Sequence, residues 1–159
     1  MRTLRAALDQ HRLADLPLAA SGGSFGGYLA LSVACAVETK LVAAHAAPIR
    51  PREVAMGSDA FWSWTREWGP LTEHARLLEQ ESLDLSLLPR RTRVLLSHGM
   101  LDEQVPFHQS VTAARELRIR GVRCDLVLVP DGGHALNRPD WVTKWYEWTI
   151  EALHDAGEL

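Results

Sequence analysis

Leu16-Pro17-Leu18-Ala19-Ala20-Ser21-Gly22-Gly23-Ser24-Phe25-Gly26-Gly27-Tyr28 is the stretch that decides how this chain folds. Leu16 to Ala20 read as a short buried strand. The next residues form a tight glycine-rich turn. Tyr28 to Val37 are almost wholly apolar and alanine-rich, which reads as a buried helix. Strand, sharp turn and helix give the pattern G-x-S-x-G, here Gly22 to Gly26, its chemical meaning. The turn strains the serine backbone, and side chains two positions away on either side would clash. The strain holds the Ser24 hydroxyl up at the sheet rim. The helix then directs its first amides at the same place, making the Phe25 N–H a candidate oxyanion donor. Ser21 is a rival hydroxyl but lacks glycines at both flanking positions. The bland alternative is a glycine-rich turn with no chemistry.

Outward from this turn, helices and strands alternate. Residues 2–13 read as an amphipathic helix on Leu4, Ala7 and Leu8. Leu41 to Ala47 read as a second strand, closed by Pro48 and Pro51. Thr92 to Ser97 and Arg123 to Val129 read as a third and a fourth. A helix opens at Pro106, with Phe107, Val111, Ala114 and Leu117 as its buried stripe, and Gly121 sits at its C-cap. Pro139 to Leu153 read as a closing helix. Residues 52–90 are less regular and cap-like, with a helix expected around 71–80. Such alternation predicts an α/β fold: a mostly parallel sheet of about four strands with flanking helices. Residues 1–159 are expected to form a single domain.

A serine hydroxyl is a poor nucleophile until a base takes its proton. The base needs a carboxylate to fix its tautomer and offset its charge. Ser97-His98-Gly99-Met100-Leu101-Asp102 leaves the third strand, and Pro130-Asp131-Gly132-Gly133-His134 leaves the fourth. Asp102 and His134 therefore follow Ser24 in the order acid then base, at corresponding strand ends. Glu103 and Asp131 are fallback acids. His11, His74 and His154 read as helix-surface residues, His45 as a strand residue, and His98 as packing under the acid loop. His98, Asp102 and His108 do not have the spacing of a metal-binding helix face, so no metal and no cofactor is expected.

The 159 residues carry a formal net charge of -3, which argues against a nucleic-acid partner. Arg90, Arg91 and Arg93 form the densest basic group and read as a solvated loop. No window approaches the about 20 apolar residues of a membrane span, and no signal peptide is evident. Cys35 and Cys124 read as small buried hydrophobes in a cytoplasmic protein.

These residues resemble the prolyl oligopeptidase family of serine peptidases, within the α/β-hydrolases. Gly22-Gly23-Ser24-Phe25-Gly26-Gly27-Tyr28 is similar to that family's extended nucleophile signature. His98-Gly99 with Asp102-x-x-Val105-Pro106 resembles its acid loop, and Gly133-His134 its histidine loop. Glu67-Trp68-Gly69-Pro70 looks like a stretch found between nucleophile and acid in acylaminoacyl- and dipeptidyl-peptidase-like branches. The resemblance implies Ser24 as nucleophile, Asp102 as acid and His134 as general base. It also implies a partial α/β-hydrolase fold, equivalent to strands five to eight, without the N-terminal half that carries a second oxyanion donor. The chain is then expected to be a fragment or one half of a split enzyme. Low activity alone is expected, with self-association or a complementing N-terminal segment.

The function expected is a peptidase-like hydrolase forming a Ser24 acyl-enzyme with a peptide or small acyl substrate. Alternatives are a small-acyl esterase and a non-catalytic remnant that retains these residues by descent; fold does not choose among them. Tyr28, Phe61, Trp62, Trp64 and Trp68 are weak candidates for lining the substrate pocket, the last four reading equally as packing.

Overall fold

A computed structural model describes residues 2–13, 16–57, 71–135 and 139–155. Four strands form one sheet: β1 (Ala19–Gly23), β2 (Leu41–His45), β3 (Arg93–Gly99) and β4 (Cys124–Val129). Their spatial order is β1-β2-β3-β4 and every pairing is parallel. The helices are α1 (Arg2–Gln10), α2 (Phe25–Ala36), α3 (Pro51–Gly57), α4 (Leu71–Gln80), α5 (His108–Ile119) and α6 (Pro139–Asp155). A 3₁₀ turn spans Leu85–Leu87.

Strand alternation sorts the side chains between two faces. Val42, Ala44, Val94, Leu96 and Cys124 join Ala30, Leu31 and Ala34 of α2 and Ala113, Ala114 and Leu117 of α5 in one apolar core. Residues between them in sequence point to the opposite face. There Arg93 bridges Asp125 of β4 (3.1 Å) and Asp155 of α6 (2.7 Å), so α6 covers that side. Both faces of the sheet are thus covered, as a parallel sheet requires. β2 is buried along its whole length.

Several expectations are corrected. The first strand runs through Ser21, Gly22 and Gly23 rather than ending at Ala20, because these residues pair with Ala43, Ala44 and His45. The turn is confined to Ser24, and α2 starts at Phe25. Val111 is exposed (37%), while the polar Gln109 and Ser110 take the buried positions on α5. Gln109 is satisfied there, accepting from the Arg50 amide (2.8 Å) and donating to Glu53 (2.9 Å). Arg93 is no solvated loop residue; only 17% of its side chain is exposed. Cys124 is buried and Cys35 half-buried, both as free thiols. Among the described residues, no helix is long and apolar enough to cross a membrane.

Candidate active site

Ser24 sits at the tip of β1 with φ 53° and ψ -125°. A positive φ is rare for a side-chain-bearing residue and persists only where neighbours enforce it. Here the Ser24 amide donates to the carbonyl of His45 (2.8 Å), while its carbonyl accepts from the amides of Gly27 (2.9 Å) and Tyr28 (3.1 Å). A Cβ on Gly22 would lie 2.4 Å from the Gly26 carbonyl, so position 22 must be glycine. The expected clash on the other side is absent. A Cβ on Gly26 would meet nothing within 4 Å among the described residues beyond its chain neighbours and the nearby backbone of its own helix.

The loop after β3 holds Asp102 with its side chain fully buried. Its Oδ1 accepts from the amides of Gln104 (2.9 Å) and Val105 (2.8 Å). Its Oδ2 accepts from His134 Nδ1 (2.8 Å) and His98 Nε2 (3.1 Å). Burial by itself would raise the Asp102 carboxyl, but the hydrogen bonds from His134, His98, Val105 and Gln104 outweigh it. They hold the group well below the usual carboxylate range.

His134 leaves β4 and spans the rim. Its Nε2 lies 2.8 Å from Ser24 Oγ. A carboxylate only accepts, so Nδ1 carries the proton toward Asp102. In the neutral ring Nε2 then accepts from the Ser24 hydroxyl. The structure thus brings Ser24, His134 and Asp102 into one hydrogen-bonded chain. Glu103 and Asp131 are exposed, and Asp102 is the carboxylate that bonds His134.

Two buried histidines support this chain, and sequence reading had assigned neither a bond to it. His98 donates from Nε2 to Asp102 and to the Val105 carbonyl (2.8 Å), and its Nδ1 accepts from Ser110 (2.8 Å). His45 donates from Nε2 to the His134 carbonyl (3.2 Å), and its Nδ1 accepts from Ser97 (3.0 Å). His45 and Ser97 are register partners on adjacent strands, so their side chains share a face. Burial, then the neighbouring His98, lowers the His45 imidazole to about 4. The spacing of His98 four residues before Asp102 was a usable signal. The His45 role depends on strand register, which no local pattern carries.

The acid and histidine loops are joined through Gly99. A Cβ there would lie 2.3 Å from the carbonyl oxygens of Gly132 and Gly133. The Leu101 amide also donates to the Gly132 carbonyl (2.9 Å).

A cavity of about 200 Å³ opens beside the start of α2. Phe25, Tyr28 and Leu29 form one wall, Pro48, Pro51 and Leu78 the other, and Glu81 completes the lining. The rings of Phe25 and Tyr28 stack at 5.6 Å and 11°. Phe61, Trp62, Trp64 and Trp68 lie outside the described residues. No group of three His, Cys, Asp or Glu side chains able to hold a metal ion occurs among the described residues.

Residues 1–156 match the model of the prolyl oligopeptidase family. A 48-residue stretch, 30% of this chain and 6% of the relative, is 44% identical to dipeptidyl peptidase family member 1 of Caenorhabditis elegans. The acylaminoacyl peptidase of Pyrococcus horikoshii superposes with a TM-score of 0.80 at 19% identity, over 95% of this chain and 26% of that one. A puromycin-hydrolyzing peptidase of Mycobacterium tuberculosis superposes with a TM-score of 0.79 at 24% identity, over 95% of this chain and 24% of that one. The chain therefore spans about a quarter of the length of these solved relatives. The fold is that of an α/β-hydrolase sheet, and with the family model matched over nearly every residue, the chain belongs to the prolyl oligopeptidase family.

Proposed function

We propose that this chain cleaves peptide or amide bonds through an acyl-enzyme on Ser24. The observation that carries the proposal is the continuous bond chain from Ser24 Oγ through His134 to Asp102, 2.8 Å at each link. In this reading Ser24 Oγ attacks the carbonyl carbon as His134 Nε2 takes its proton. Asp102 holds the imidazole in the required tautomer and offsets the charge it gains. The negative oxygen of the tetrahedral intermediate is met by the Phe25 amide. As the first residue of α2, Phe25 has no intrahelical acceptor for its N–H. Collapse breaks the C–N bond, and His134 returns the proton to the leaving amine. Water then repeats the sequence on the acyl ester, freeing the acid and restoring Ser24. The apolar cavity at the start of α2, lined by Phe25 next to Ser24 in the chain, would receive the side chain on the acyl side. Membership of a peptidase family supports an amide over an ester as the substrate.

A fluorophosphonate probe should label the protein, and Ser24→Ala should abolish labelling. Asp102→Asn should slow labelling by about 10⁴-fold by imposing the wrong tautomer, with an unchanged circular dichroism spectrum. Failure of the folded protein to label would assign it to the non-catalytic remnants. Turnover of a chromogenic acyl ester but of no aminoacyl anilide would make it an esterase.

A further inference from the structure

The cavity at the start of α2, lined by Phe25, the residue that follows Ser24, is mostly apolar but contains one carboxylate, Glu81. Glu81 is exposed, and its backbone is held on both sides. Its amide donates to the Leu77 carbonyl (3.0 Å) just beyond α4. The Tyr28 hydroxyl donates to its carbonyl (2.8 Å) and to its Oε2 (3.2 Å). Burial, then the Glu81 charge, raises the Tyr28 phenol, so Tyr28 stays a neutral donor to the carboxylate. One bond from Tyr28 leaves a carboxylate much of its accepting capacity.

No basic side chain among the described residues pairs with Glu81. Arg52, on the helix packed against α4, is committed to Glu79 at 3.0 Å. The cavity thus combines aliphatic lining, stacked aromatic rings and a carboxylate that no basic side chain among the described residues pairs with. A lysine or arginine side chain matches each part. Its methylene stem covers the apolar lining, its cation lies near stacked aromatic faces, and its N–H groups reach a carboxylate. A neutral aliphatic side chain would fill the same space but strip water from Glu81 without replacing it, which is unfavourable. At about 200 Å³ the cavity is smaller than the usual drug-sized site and suits a single side chain.

We propose that Glu81 makes this cavity selective for a basic side chain, lysine or arginine, on the acyl side of the cleaved bond. The proposal rests on the reading of Ser24 as nucleophile. The α-ammonium of an unblocked substrate is the other cation that Glu81 could meet, and the test separates the two.

The probes are aminoacyl diaryl phosphonates, in which Ser24 Oγ bonds to phosphorus, one aryl oxide departs and His134 relays the hydroxyl proton to it. Three are compared: N-acetylated lysyl, N-acetylated norleucyl and free-amine norleucyl. The expected result is that the N-acetylated lysyl probe labels about tenfold faster than its norleucyl counterpart, a ratio within reach of one charge-assisted hydrogen bond. The ratio should fall toward one in Glu81→Gln, which retains an acceptor for Tyr28. A ratio near one in the unmodified protein, or one unchanged in Glu81→Gln, overturns the assignment while leaving Ser24 as nucleophile. Fastest labelling by free-amine norleucine overturns it in favour of an α-ammonium site. Failure of a plain fluorophosphonate to label Ser24 overturns the hydrolase reading and this inference together.

Discussion

At the scale of single residues, the site depends on groups whose charge and tautomer are set by what surrounds them. His45 is the clearest case. It is 3% exposed and bonds the backbone of His134. Its folded-state value is lowered from 6.5 to about 4, so the unfolded chain binds a proton more readily than the native one between these values. Stability from this group is fully present above about pH 6.5 and is lost as pH falls toward about 4, by up to ~1.4 kcal/mol per unit. Asp102, held low by its hydrogen bonds, adds stability above the ordinary carboxylate range that is lost below it. Urea unfolding midpoints should therefore fall in two overlapping stages on acidification. The higher stage should flatten in His45→Gln, which has no titrating group but can still donate to His134. An unchanged pH slope in that variant would contradict the assignment.

At the scale of elements, the site is made where loops from separate strands come within backbone contact. The acid loop follows β3 and the histidine loop follows β4, which are paired from Val94↔Cys124 to Gly99↔Val129. Gly99 ends that register, and its missing Cβ is what allows the Gly132 and Gly133 carbonyls to approach. We predict that Gly99→Ala separates the two loops and displaces His134 from Ser24. Overpacking of this kind costs about 1–3 kcal/mol. Thermal unfolding should show a modest loss of stability, and fluorophosphonate labelling should fall far more than stability does. Equal losses in both would mean that the loops relax together with no effect on the site.

At the scale of the molecule, the sheet is open at both edges among the described residues, β1 at one and β4 at the other. β1 pairs with β2 alone. The chain leading into β1 exposes Leu13 (43%) and Leu16 (61%). Both line a groove of about 210 Å³ together with Leu8, Pro17, Leu18 and Val37. An open strand edge next to exposed apolar side chains favours association. Sedimentation velocity should show concentration-dependent self-association, reduced in Leu16→Glu. A sharp monomer boundary at every concentration would refute this.

Local chemistry in the sequence determined a good deal about this protein. Glycine spacing around Ser24 and apolar runs of strand length were each legible within a few residues, and the order Ser24, Asp102, His134 was legible along the chain. They specified a parallel α/β sheet and three loops at strand ends. Other features arose only when distant segments met. Strand register put Ser97 beside His45, a helix packed on the sheet brought Ser110 to His98, and the turn after α4 brought Glu81 to Tyr28. Packing also brought Arg93 to Asp155, turning an apparent surface charge into a clamp between sheet and helix. The division has a physical cause. A turn or a strand is specified by sterics and hydrophobicity within its own residues, whereas the partner of a buried polar group is chosen by which surfaces pack together.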